Sequence, residues 1–102
     1  MRFDPTEGRE QKGVRPAVVI SSEGFHVSQL CIVCPLTATL HRFAGDAVVE
    51  PTKKNGLKKT SEVLCGHVRS VSQKRIVSIV GRITPAELEK IFHGMDMLYG
   101  RV

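Results

Sequence analysis

Aromatic residues are scarce in this chain: there is no tryptophan, a single tyrosine (Tyr99) and four phenylalanines among 102 residues. A protein that holds nucleic acid by general base stacking needs more platforms than that. Long apolar runs are also missing. None approaches the ~18 residues of a membrane span, and the N-terminus carries no signal-peptide core, so a cytoplasmic location is expected. Repeats, linkers and low-complexity tracts are absent, which points to a single domain over residues 1–102. With 41% hydrophobic residues the core is modest, and an oligomeric interface is a natural supplement to so small a domain.

Cysteines are few and odd in number: Cys31, Cys34 and Cys65. The first two read C-x-x-C, but both lie in the apolar run LCIVCPL. Alternating strand faces would send them to opposite sides. A metal site would need further ligands, and Cys65 with His67 is the only nearby pair. Buried, inert thiols are therefore expected, with no metal and no cofactor.

Acidic residues are thin where basic ones gather. The net charge is +5, and between Pro51 and Arg75 seven bases (Lys53, Lys54, Lys58, Lys59, Arg69, Lys74, Arg75) face one acid, Glu62. That is the electrostatic footprint of a protein with a polyanionic partner. Lys53–Lys59 alone would read equally well as a solvated loop. Arg69 sits inside an apolar, strand-like segment, where a charge needs solvent or a partner.

The hydropathy pattern is mostly of period two. Pro16–Ser22 is β-branched and bounded by turn residues; Leu30–Leu36 is nearly all apolar and reads as a strand buried on both faces. Asp46–Glu50 is a short third strand. Lys53-Lys54-Asn55-Gly56 has turn chemistry. Ser61–Val71 and Arg75–Ile83 read as two long strands. The period then changes: Thr84-Pro85-Ala86-Glu87 is a capping box with proline at the first helical position. Leu88, Ile91, Phe92, Met95, Leu98 and Tyr99 make one apolar helix face, and Gly100 a stop. Strands followed by one helix predict a small, mainly β, strongly curved barrel or half-barrel with a C-terminal helix on its flank.

Chemistry concentrates at the start. A polar loop with Gly8 and Gly13 carries Glu10, Gln11 and Lys12 and ends at Arg15-Pro16, against the first apolar strand. A guanidinium is a planar fork matched to phosphate oxygens, suited to stabilising charge in a transition state and unsuited to taking a proton. An ion pair with Glu10 that merely orders the loop is the plainer alternative. Thr37 ends the second buried strand, where its hydroxyl could bond phosphate or base, or simply satisfy a turn; Thr39 is a weaker case. His26, His41 and His67 could each act near neutral pH. His67 and Arg69, two apart, would share one strand face. His93, on the helix, reads as surface.

The blocks FDPTEGREQKGVRPAVVIS (3–21), CPLTATL (34–40), GLKKTSEVLCGHVRSV (56–71) and VGRITPAELEKI (80–91), in this order and spacing, resemble the MazF/PemK family of toxins. The resemblance implies an SH3-like curved barrel assembled as a homodimer. It also implies sequence-selective, metal-independent cleavage of single-stranded RNA by 2′-hydroxyl attack, inside a toxin–antitoxin system whose antitoxin complex binds DNA. By motif position, Arg15 and Thr37 match the family's catalytic arginine and threonine, and Glu10 its acidic loop position. Gln11, Lys12, Thr39, His67 and Arg69 are then candidate RNA-binding residues, the Arg69 strand matching one that lines the RNA groove in relatives. A cognate antitoxin would occupy the groove with an acidic, disordered tail.

Two departures stand out. Relatives carry a strand of the type R-G-D-x-x-x-V-D before the FDPT motif, where this chain has only Met1 and Arg2. A barrel without its first strand, with an edge to be covered, is one expectation. Val14 replaces a histidine found in some relatives, which leaves Glu10 and His67 as the candidates for general base. The competing readings are a non-enzymatic gyrase poison of the CcdB type, from which the Tyr99–Val102 end differs by lacking tryptophan, and an inactive RNA-binding relative.

Overall fold

A computed structural model describes residues 15–101 in full and Arg2–Pro5 as backbone. Seven strands form one sheet: β1 (Arg2–Pro5), β2 (Ala17–Val19), β3 (Leu30–Thr37), β4 (Ala47–Val49), β5 (Ser61–Val63), β6 (Arg69–Ser72) and β7 (Ile76–Gly81). A single helical turn, α1 (Glu23–His26), links β2 to β3, and the long helix α2 (Pro85–Leu98) closes the chain. The ladder runs β4-β5-β3-β2-β1-β7, with β6 also on β3. β4 and β7 end the path without pairing to each other, so the sheet is curved and open where a barrel would close.

β3 is the spine. Its eight residues are apolar on both faces, and alternation divides them between two cores. Cys34 and Leu36 join Val18, Val49, Val63, Ile83, Ile91 and Met95 beneath α2. Cys31 and Val33 join Ala17, Val19 and Val71 on the other side. The opposite facing of Cys31 and Cys34 is thus as the strand rule requires.

One edge of β3 takes β2; the other is shared by two strands. β6 pairs with Leu30–Val33 and β5 with Leu36 and Thr37. Three steps along β3, from Val33 to Leu36, correspond to six on the facing chain, from Arg69 to Val63. The excess is taken up by a 3₁₀ turn at Cys65–His67. The single long strand expected over Ser61–Val71 is therefore broken in the middle. Pro35 lies opposite this break. A proline cannot donate to a ladder, and a position where pairing lapses is where a central strand tolerates one.

Arg2–Pro5 corrects another expectation. The segment reads as the beginning of a polar loop, yet it pairs with β2 (Arg2 with Val18, Phe3 with Ala17) and with β7 (Phe3 with Ile79, Pro5 with Ile76). Four residues carry too little periodicity to announce a strand; pairing from both sides makes it one. No gap is left between β2 and β7 of the kind that loss of a first strand would open.

α2 begins as the capping box predicts: Thr84 Oγ1 accepts the Glu87 N–H at 3.1 Å, and Glu87 Oε1 accepts the Thr84 N–H at 2.7 Å. Glu87 Oε2 also takes a bond from Asn55 Nδ2 at 3.1 Å. Buried Asn55 accepts in turn the N–H groups of Thr52 and Leu57. The lysine-bearing loop is thereby tied to the helix start, with Gly56 rather than Asn55 at positive φ (+68°). Of the predicted apolar face, Ile91 and Met95 are buried, whereas Phe92, Leu98 and Tyr99 remain exposed.

Gly94 is where α2 meets the 38–45 loop. A methyl group there would lie 2.0 Å from the Gly45 carbonyl oxygen, while Gly45 itself sits at φ +86° under Leu98. Gly94→Ala should consequently destabilise the fold by roughly 1–3 kcal/mol through overpacking, although alanine is the better helix former. Denaturant unfolding of the two proteins measures this directly.

Candidate active site

The β2–β3 register decides where the candidate residues stand. Ala17 pairs with Pro35 and Val18 with Cys34, and the Leu36 N–H donates to the Pro16 carbonyl at 3.1 Å. The same register carried two places onward sets Arg15 opposite Thr37. On the far edge of β3, Thr37 pairs with Glu62. Residues directly opposite in antiparallel strands share a face. Thr37 and Glu62 therefore share one row on the side of the sheet away from α2, and Arg15, two residues before β2, falls on the extension of that row. Val33 pairs with Arg69, which adds an exposed second guanidinium to that face.

Thr37 is half-buried, and its Oγ1 accepts the Thr39 N–H at 3.1 Å. The turn anticipated as the plain alternative is real, but it uses only the oxygen and leaves the hydroxyl proton to donate. Thr39 is exposed and contributes its backbone to this turn. Arg15 is exposed. Glu10, Gln11 and Lys12 lie outside the described residues.

His67 is not on a strand face with Arg69, as the two-residue spacing suggested. It belongs to the 3₁₀ turn and borders a small cleft of about 190 Å³ with Phe43, Ala44, Asp46, Gly66 and Leu98, on the α2 side. The spacing argument fails because the strand it assumed is interrupted there. His26 is bonded to Ser21 Oγ (2.7 Å) in α1, at the opposite end of β3 from Thr37, roughly 20 Å away at the usual rise per strand residue.

Glu62 is the residue that sequence reasoning passed over. It is fully buried, beside Asp46. Its Oε1 accepts the Arg42 N–H at 2.8 Å and its Oε2 the Phe43 N–H at 3.2 Å. Burial alone would raise its carboxyl; hydrogen bonds from Asp46 and from the N–H groups of Arg42, Phe43 and His41 outweigh burial and hold it low. Asp46 moves the other way. Burial and the facing Glu62 carboxyl push it up to about 6, opposed by the Cys65 N–H and by His67. A charged residue at an inward position of a short apolar strand was the available signal for Glu62; its loop partners Phe43 and Arg42, 19 and 20 residues away, had none.

Beyond the buried Glu62, the basic segment presents Lys53, Lys54, Lys58, Lys59 and Lys74 to solvent. The positive surface is thus purer than the sequence count implies. Of the thiols, Cys34 and Cys65 meet beneath α2, while Cys31 packs in the other core. The bond to Cys65 and burial raise Cys34, burial raises Cys31, and the Cys34 bond lowers Cys65.

The curved sheet with its flanking C-terminal helix is a fold shared with small protein toxins. The family model described as "PemK-like, MazF-like toxin of type II toxin–antitoxin system" matches residues 1–96, and the chain belongs to this family, a MazF-like endoribonuclease toxin by class. It is 30% identical over 100 residues to endoribonuclease toxin MazF of Escherichia coli K12, covering 96% of this chain and 86% of that protein. It is 28% identical to endoribonuclease EndoA of Bacillus subtilis, covering 93% and 84%. Among solved structures, toxin MazF-mt6 of Mycobacterium tuberculosis superposes with a TM-score of 0.80 at 16% identity, over 97% of this chain and 95% of that one. A mycobacterial endoribonuclease in complex with its cognate antitoxin gives 0.79 at 17%, over 97% and 90%.

Because all three thiols are buried and free, a water-soluble disulfide reagent should label less than one thiol per native chain and three per chain in denaturant.

Proposed function

We propose that this protein cleaves single-stranded RNA at selected sequences, without a metal ion, by attack of a ribose 2′-hydroxyl on the adjacent phosphorus. The P–O bond to the 5′ oxygen of the next nucleotide breaks as the new one forms, leaving a 2′,3′-cyclic phosphate and a 5′-hydroxyl. Arg15 binds the phosphate and stabilises the charge gathering on its oxygens. Thr37 hydrogen-bonds the same group through its hydroxyl, Glu10, in the loop that ends at Arg15, takes the 2′-hydroxyl proton, and water protonates the departing 5′ oxygen. A substrate without a 2′-hydroxyl has no internal nucleophile, so DNA is spared. Gln11, Lys12, Thr39 and Arg69 contact RNA around that phosphate, and the exposed lysines draw the polyanion in.

The observation that supports this reading is the β2–β3 register, whose continuation two residues before β2 would bring the Arg15 guanidinium beside the Thr37 hydroxyl. Its place in a toxin–antitoxin family supports a cytoplasmic setting and a cognate antitoxin whose acidic segment covers the same basic surface. A homodimer is supported by β7, which ends the ladder with Val77 56% and Ile79 59% exposed, an apolar edge that another surface would cover.

Purified protein should cut a long single-stranded RNA in the presence of EDTA, and 5′-end mapping should show a restricted set of sites. Arg15→Ala should lower the single-turnover rate by at least ~10²-fold, the scale for one transition-state donor, and Thr37→Val by about 10–10²-fold, with Thr37→Ser retaining most activity. Intact RNA after incubation with folded wild-type protein would refute the assignment. Affinity for a non-cleavable 2′-deoxy analogue should fall linearly with log salt, less steeply for Arg69→Ala by about one phosphate contact.

A further inference from the structure

The reaction outlined above gives Glu62 no part, yet it is a charged group committed to the interior of an otherwise basic segment. It is wholly buried. It stands directly across from Thr37 in the β3/β5 register. Both its oxygens are spent on backbone N–H groups of the loop that follows Thr37, those of Arg42 and Phe43, with His41 contributing a third. A carboxylate gathering successive N–H groups in this way fixes the path of the chain that carries them.

We infer that Glu62 is a positioning residue for RNA cleavage, holding the 38–45 loop in the conformation that aims the Thr37 hydroxyl and presents the His41 and Phe43 rings. This rests on the endoribonuclease reading. Thr37 Oγ1 takes its bond from Thr39, inside the loop, so the direction of its remaining proton follows the loop. The His41 and Phe43 rings flank the pinned Arg42; they lie parallel within 2° at 4.7 Å and are exposed. In a chain so poor in aromatic residues, this stack is a ready surface for a nucleobase beside the scissile phosphate. The far end of the loop is anchored independently, where Gly45 abuts Gly94 of α2. Pinned at its start, middle and end, the loop is organised before substrate arrives.

Asp46 conditions the pin. Its Oδ1 accepts the Cys65 N–H at 3.0 Å, while Oδ2 is buried with no donor directed at it. Beside the Glu62 carboxylate, Asp46 is satisfied when it carries a proton and donates it across. The other groups facing the pair are the His67 imidazole and the Cys65 thiol from the turn, the Cys34 thiol bonded to Cys65 from β3, and the loop N–H groups. α2 brings Glu89, Lys90 and His93 to the cleft that Asp46 also lines, with Gly94 between them, and Leu98 borders Asp46 on its other side. Since the folded-state value of Asp46 is raised from 3.8 to about 6, the sign is opposite to that of an ordinary salt-bridged acid. The shared proton is present below about pH 6 and lost above it, leaving two facing anions under the loop.

The test follows amide hydrogen exchange at Arg42 and Phe43, corrected for intrinsic rates, together with single-turnover cleavage, from about pH 5.5 to 8. In the wild type, protection at both amides should be about 10-fold greater at the acid end. Asp46→Asn supplies a permanent N–H donor to Glu62 and should be flat and high in protection, so that the wild-type to Asp46→Asn ratio of cleavage rates falls as pH rises. Glu62→Gln offers one acceptor oxygen to three N–H groups. Protection should drop at every pH, and the single-turnover rate at saturating protein should fall about 10-fold, with half-saturation also weakened as the His41 and Phe43 rings lose their placement. Asp46→Asn decides the matter alone should Glu62→Gln fail to fold. A wild type that cuts RNA while Arg42 and Phe43 protection is indifferent to pH and to both substitutions would overturn the inference and leave the nuclease reading standing. A wild type that cuts no RNA would overturn that reading and this inference with it, even if Glu62 still governed exchange in the loop.

Discussion

Backbone register along β3 is the constraint on which the rest of this molecule depends. The strand is paired on both edges, and its side chains are divided between two cores, so a slip of one position would exchange Cys34 and Leu36 for Val33 and Pro35 under α2. The same slip would turn Thr37 to the helix side and separate it from Arg15. Stability and site geometry are therefore enforced by one set of hydrogen bonds. Apolar packing of Val18, Val63 and Ile91 around Cys34 holds the register, and the polar row at the end of the strand inherits it.

What lies beyond the end of β3 is held by polar contacts instead. The 38–45 segment is exposed except for half-buried Leu40 and Gly45, and has no regular structure of its own. Its order comes from one interior carboxylate and a glycine–glycine contact with α2. This division is a sensible one for a binding surface. A rigid sheet sets the residues at the end of β3, and a short loop with its own internal anchor can differ between relatives without disturbing the core.

Much of this was legible in the residues. The apolar run at Leu30–Leu36, the capping box at Thr84–Glu87 and the opposite facing of Cys31 and Cys34 all follow from local rules with strong signals. The basic excess over Pro51–Arg75 was visible as plain charge. Three features were not visible, each because its cause is distant in sequence. Arg2–Pro5 is a strand only because β2 and β7 flank it. The Ser61–Val71 run breaks at Cys65–His67 because β3 needs two different partners along one edge, and that break carries His67 away from Arg69. Glu62 looked like a lone acid among lysines, since nothing local indicates that the backbone of residues 41–43 will arrive to take up its oxygens.

The outermost strand, β7, has a further implication. Among the described residues the ladder stops there with Val77 and Ile79 exposed, the kind of rim that recruits whatever extended chain comes first. A newly made chain thus has to cover that rim in an orderly way or stack indiscriminately with misfolded neighbours. Local concentration during translation would set how much of this protein ever becomes usable.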